Sequence, residues 1–125
     1  GVEEKINIKR QSLKDSMLTT GFCVEKGQAF DTEFEIFKNV MKDCRGIRRL
    51  GSAALDLCYT AKGPWGGFWE KGLSPWDTAA GSLIVLESGG AVTDYQGNTF
   101  SPFSDSIVAS SEQNHQELIK VIGKF

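Results

Sequence analysis

The sequence predicts an α/β domain, a layered mixed sheet with flanking helices, carried as a single unit over residues 1–125. Three observations lead there. The chain has 125 residues with 40% hydrophobic and 24% charged positions, 14 Gly and 3 Pro, the make-up of one globular core. Strand-type alternation and helix-type spacing of apolar residues interleave from end to end, which favours α/β layering over a bundle or a sandwich. No internal repeat, low-complexity segment or Pro/Ser-rich linker divides the chain.

Ile6 and Ile8 alternate with polar neighbours, so Glu4 to Arg10 reads as a strand, and Ser16 to Val24, rich in β-formers, reads as a second. Phe34, Phe37, Met41 and Cys44 recur at spacings of three and four after a candidate N-cap at Asp31. They predict an amphipathic helix that Gly46 stops. Ile47 to Leu50 is a short extended piece. Ser52 caps a helix through Ala53, Leu55, Leu57 and Tyr59 that Gly63 and Pro64 end. Phe68 to Lys71 is a strand. Ser74-Pro75-Trp76-Asp77 then supplies a cap, a proline at the first helical position and a carboxylate three residues after the cap, opening a helix to Ser88 that Gly89-Gly90 closes. Ala91 to Tyr95 reads as a strand, Gln96-Gly97-Asn98 as a turn, and Ile107 to Ala109 as a further strand. Glu112 to Ile122 is a closing helix with Leu118, Ile119 and Ile122 on one side.

Composition narrows the chemistry. Fourteen Lys+Arg against 16 Asp+Glu give a formal net charge of -2, which offers no electrostatic case for nucleic acid or an anionic membrane surface as partner. No apolar run approaches the roughly 18 to 20 residues needed to span a bilayer. Gly1 to Arg10 is too charged for a signal peptide, so the expected location is cytoplasmic. Cys23, Cys44 and Cys58 are odd in number, lack Cys-x-x-Cys spacing and sit among apolar residues, as buried free thiols of a reducing compartment would. With His115 the single histidine, a zinc site or a Ser/His or Cys/His arrangement has almost nothing to be built from. Chemistry here has to run on carboxylates.

Two carboxylates and one helix start are the candidates. Asp77 falls in the first turn of a helix, where unpaired N–H groups favour its ionised form; an ionised carboxylate there can hold Mg²⁺, although a cap alone is the commoner role. Glu70, on the strand seven residues upstream, can reach the same end of the sheet, or it is a solvated residue between Trp69 and Lys71. Gly51-Ser52-Ala53 opens a helix with small residues that leave N–H groups open to a phosphate or a sugar hydroxyl, with Arg48 and Arg49 just upstream. Most such starts are caps only and most such arginines are solvated. Trp65, Trp69 and Trp76 fit a core or an interface equally well.

Three blocks, Arg48-Arg49-Leu50-Gly51-Ser52-Ala53-Ala54-Leu55-Asp56-Leu57, Gly67-Phe68-Trp69-Glu70 through Ser74-Pro75-Trp76-Asp77-Thr78-Ala79-Ala80-Gly81, and Glu87-Ser88-Gly89-Gly90, together resemble the inositol monophosphatase family, as does Thr20-Gly21-Phe22 upstream. The resemblance implies the C-terminal half of an αβαβα sandwich, and a hydrolase that cleaves phosphate monoesters such as inositol monophosphate with two or three Mg²⁺ ions and is inhibited by lithium. It implies Asp77 as a Mg²⁺ ligand, Glu70 as a contact to substrate hydroxyls, and Gly51, Ser52 and Ala53 as pocket lining. Fructose 1,6-bisphosphatase activity is the near alternative, and a homodimer is implied for the intact enzyme.

The family's aspartate-proline-x-aspartate-glycine-threonine run, which supplies most of the metal ligands, does not occur here; no Asp-Gly-Thr is present. The expectation is therefore a chain lacking the N-terminal metal-binding half, with negligible phosphatase activity alone. A non-catalytic binding or assembly domain that kept the fold is the rival from a different class.

Overall fold

In the computed structural model, which describes residues 6–22 and 28–125, strands and helices alternate as the hydrophobic periods require. Their order is β1 (Met17–Thr20), α1 (Gln28–Met41), β2 (Gly46–Arg48), α2 (Ala53–Lys62), β3 (Gly67–Lys71), α3 (Pro75–Glu87), β4 (Ala91–Thr93), β5 (Ser106–Ser110) and α4 (Glu112–Ile122). The strands form one sheet in the order β2-β1-β3-β5-β4. β1 lies parallel to β2 and to β3, whereas β5 runs antiparallel to β3 and to β4, so the sheet is mixed, as expected.

The two-residue period of the strands sorts the core into two layers. Leu18, Trp69 and Val108 face α1 and α4, where they pack with Ile36, Val40, Leu118 and Ile122. Phe68, Ile107 and Ala109 face the other way, onto Leu57 and Ala61 of α2 and Val85 of α3. Each large apolar side chain so buried contributes about 1.5–3 kcal/mol. α2 and α3 lie against each other at Gly81, where a Cβ would stand 2.7 Å from the Cβ of Leu57, so a side chain there would force the helices apart.

Helix ends follow the cap residues. Ser52 Oγ accepts the Leu55 N–H at 3.3 Å, and Gly63 closes α2 at φ 117°, a left-handed torsion glycine adopts without strain. At the start of α3 the Asp77 carboxylate accepts the Ser74 N–H at 3.0 Å.

Several boundaries differ from expectation. Glu4 and Lys5, the first residues of the strand expected over Glu4 to Arg10, lie outside the described residues, and Ile6 to Arg10 form no strand: Ile8 N–H donates to Ser88 O at 2.9 Å, one bond in place of a ladder. The strand expected over Ser16 to Val24 is ordered as β1 through Thr20 only, with Cys23 and Val24 outside the described residues. α1 begins at Gln28, so Asp31 sits in its first turn rather than at its cap. β4 stops at Thr93 because the Asp94 carboxylate accepts the N–H groups of Gln96 and Asn98, both at 2.9 Å, and folds the chain into its turn.

The thiols of Cys44 and Cys58 are free, but both residues are half-buried rather than buried, and Cys23 lies outside the described residues. Trp69 is core and Trp65 partly covered, while Trp76 stands 82% exposed. Among the described residues no helix is long and apolar enough to cross a membrane.

Candidate functional site

β1, β2 and β3 are mutually parallel, so the segments that leave their carboxyl ends emerge on one edge of the sheet. In open α/β sheets that edge is where ligands bind. Gly21 and Phe22 follow β1, Arg49 and Gly51 to Ala54 follow β2, and Glu70, Leu73 and Asp77 come from the end of β3 and the start of α3. Together they line a cavity of about 290 Å³. A second cleft, of about 440 Å³, is lined by Ile8, Arg10, Gly89, Ser111, Glu112, Gln113 and Gln116; it gathers one carboxylate only.

The strand period aims Glu70. It shares a face with Phe68, two residues earlier, and so points to the α2–α3 side. Partial burial removes water from its carboxyl and lifts its pKa from 4.5 to about 7. The negative charge of Asp56 adds to that rise, the guanidinium of Arg49 opposes it, and Asp77 and Glu33 add smaller upward contributions.

Asp56 lies beneath the cavity on α2, 1% exposed. Burial raises its pKa from 3.8 to about 6, offset in part by the Thr19 hydroxyl beside it. Neither Asp56 Oδ1 nor Thr19 Oγ1 closes a hydrogen bond of standard geometry. Further in, on the other face of the sheet, Tyr95 donates its hydroxyl to Glu33 Oε2 at 2.8 Å, and burial raises the Glu33 pKa.

The structure brings Asp77, Glu70, Gly51, Ser52 and Ala53 to one cavity, with Arg49 among them. Arg48 is not there; it is exposed on β2, and its Nη1 donates to Ile47 O at 3.4 Å. The reading of Glu70 as a solvated residue does not hold, since it is half-buried in the cavity wall.

Sequence reasoning named Gly21, Phe22 and Asp56 only within family-like blocks and gave none of them a role in the site, and it did not single out Glu33. Asp56 did leave a signal: it is a lone carboxylate between Leu55 and Leu57, four residues after the cap Ser52, where a helix turns toward its core. Glu33 and Tyr95 lie 62 residues apart, and no local pattern pairs them.

The arrangement can hold a small polar ligand. Its carboxyl groups, of which Glu70 is about half-protonated near neutrality, accept and donate hydrogen bonds to hydroxyls, and Arg49 with the first N–H groups of α2 is placed to meet an anionic group. A divalent cation finds only a partial fit. Among the described residues no three His, Cys, Asp or Glu side chains form a metal-holding group, and Asp77 commits Oδ2 to the Ser74 N–H.

Comparison with known proteins adds relatives. A family model described as the inositol monophosphatase family matches residues 1–124. A chloroplastic phosphatase of Arabidopsis thaliana, IMPL1, is 43% identical over 120 residues, which are 95% of this chain and 32% of that protein. An inositol-1-monophosphatase of Mesorhizobium japonicum is 49% identical over 87 residues, 70% of this chain and 33% of that one. The crystal structure of extragenic suppressor protein suhB from Bartonella henselae superposes with a TM-score of 0.87 at 39% identity, covering 94% of this chain and 45% of that one. The chain thus spans less than half the length of each of these three.

Proposed function

The chain belongs to the inositol monophosphatase family, and from that premise we propose that it is the C-terminal half of a Mg²⁺-dependent phosphate monoester hydrolase acting on inositol monophosphate or a related sugar phosphate. The observation that carries this reading is the convergence of Glu70, Asp77, Arg49 and the start of α2 on one cavity at the carboxyl ends of three parallel strands. In this reading Glu70 orients a polyol hydroxyl, and Gly51, Ser52 and Ala53 present backbone to the substrate. Asp77 contributes one carboxylate ligand. When bound, Mg²⁺ supplies electrostatic stabilisation of phosphoryl charge. One carboxylate does not complete an octahedral shell, so the remaining ligands come from the N-terminal half of the enzyme.

The outer face of the α2–α3 layer supports the idea of a missing half. α3 sends Val85 into the core, yet Trp76, Leu83 and Leu86 stand exposed, with Leu55 and Tyr59 of α2 alongside. A helix apolar on both sides suits a position between two layers. The reading therefore includes a sandwich in which that face is covered, and an intact enzyme that is a cytoplasmic, lithium-sensitive homodimer.

The test is phosphate release from myo-inositol 1-phosphate by the full natural polypeptide that contains this chain, with and without Mg²⁺. Mg²⁺-dependent hydrolysis that D77N abolishes and E70Q weakens is expected, with none from residues 1–125 alone. Hydrolysis by residues 1–125 alone, or full activity in D77N, would overturn the reading.

A further inference from the structure

Gly21 is a buried glycine with no torsional reason to be one. The glycines with positive φ are Gly51, Gly63, Gly72, Gly89 and Gly97, and Gly21 is not among them, so an alanine would fit its backbone without strain. What it lacks is space. A Cβ built on Gly21 overlaps Glu70 Oε1 and stands 2.5 Å from Glu70 Cδ and 2.9 Å from Oε2. The whole carboxyl group of Glu70 occupies the place of the absent side chain.

The sheet explains the match. β1 and β3 are paired Leu18 to Gly67, Thr19 to Phe68 and Thr20 to Trp69, and one further step sets Gly21 beside Glu70 on the same face. The Thr20 hydroxyl donates to Trp69 O at 2.6 Å and pins the two strands immediately before that step. Both Gly21 and Glu70 line the cavity.

We propose that Gly21 is a positioning residue for Glu70: by carrying no side chain it lets the carboxyl lie against the end of β1, out of the centre of the cavity and aimed across it. With alanine at 21, Glu70 has to swing. The clashing atoms are the far end of a flexible side chain, so the fold survives while the carboxyl moves by about 1 Å or more to reach ordinary contact, 3.4–4 Å. That a moved carboxyl handles a polyol less well rests on the function proposed above; the placement itself does not.

The experiment separates the two. Crystal structures and the ¹³Cδ resonance of Glu70 are compared for the wild-type chain and G21A, and melting temperatures for wild type, G21A, E70A and G21A/E70A. G21A is expected to fold, to shift the Glu70 carboxyl and its resonance, and to lower the melting temperature only while Glu70 is present, since the E70A substitution frees the space. An unmoved carboxyl, or an effect of G21A that persists unchanged beside E70A, overturns the proposal. In the full natural polypeptide, KM for myo-inositol 1-phosphate is expected to rise roughly tenfold or more in G21A, by loss of a hydrogen bond to a charged group, and G21A is expected to add nothing to E70A. A shifted carboxyl with unchanged KM upholds Gly21 as the positioning residue and overturns the polyol role of Glu70.

Discussion

Replacing Asp56 by asparagine is expected to stabilise the protein at neutral pH and to leave it unchanged in acid. The side chain is 1% exposed, its Oδ1 has no hydrogen-bond partner, and Thr19 Oγ1 beside it has none either. Burial sets its pKa at about 6 against 3.8 for the ordinary group. The folded-state value lies above the unfolded one, so the folded state holds the proton longer. The stability tied to that proton is fully present below about pH 4 and is lost as pH rises through 6. A shift of about two units at 1.36 kcal/mol each makes the ionised Asp56 cost about 3 kcal/mol at pH 7.

Asparagine matches the protonated acid in shape, and its amide N–H can donate to Thr19 Oγ1. With an unfolding entropy of about 2.1 cal/mol/K per residue over 125 residues, 3 kcal/mol corresponds to about 10 °C in melting temperature. The assay is thermal unfolding of wild type and D56N followed by circular dichroism from pH 4 to pH 8. The two should melt together at pH 4 and separate by about 10 °C at pH 7, D56N higher. Contributions of Glu70 and Glu33 cancel in the difference, except that removing the Asp56 charge lets the Glu70 pKa fall. A D56N protein no more stable than wild type at pH 7, or a difference that is the same at pH 4 and pH 7, would refute the reasoning.

Two further substitutions probe the layers on either side of the sheet. Y95F removes the donor to Glu33 Oε2 and leaves a carboxyl that is 3% exposed without it. It should cost about 1–3 kcal/mol at pH 7.5 by urea unfolding, and less at pH 4.5, where Glu33, its pKa already raised, takes up a proton. G81A gains about 1 kcal/mol of helix propensity but sets a Cβ 2.7 Å from Leu57 Cβ and Cδ1, so it should lower the melting temperature in the wild-type background and lower it less beside L57A, where the Cδ1 contact is gone and the Cβ contact stays.

The strands and helices from Gly46 onward were legible because each end carries its own signal. Ser52, Ser74-Pro75, Gly63 and Gly89-Gly90 act within a turn of where they sit. The N-terminal segment was not, for a physical reason: Ile6 and Ile8 alternate as a strand does, but a strand needs a neighbour's ladder, and Ile8 finds a single carbonyl, Ser88 O. The cavity was half legible. Glu70, Asp77 and the start of α2 carry local patterns, whereas Gly21 acts through β1–β3 register and Glu33 through a contact 62 residues away. Neither relation exists until the sheet has formed.

The electrostatics of the cavity bear on the proposed reading, in which this part of the molecule meets polyol hydroxyls. Near pH 8 Asp56 and Glu70 are mostly ionised, so they set two negative charges in or under a space of about 290 Å³ that Asp77 also lines, with Arg49 in its wall. A phosphate ester entering that field meets net repulsion, while a neutral hydroxyl meets well-placed acceptors. Protonating Asp56 and Glu70 removes most of the repulsion, and so does a cation beside Asp77. The raised pKa values of Asp56 and Glu70 thus describe one condition: among the described residues, acidic groups are gathered at the carboxyl ends of β1 to β3 with Arg49 as the cation lining the same cavity. In the proposed enzyme, a second half that brought further ligands and a divalent cation would relieve the desolvated carboxylates and complete a phosphate site in the same step.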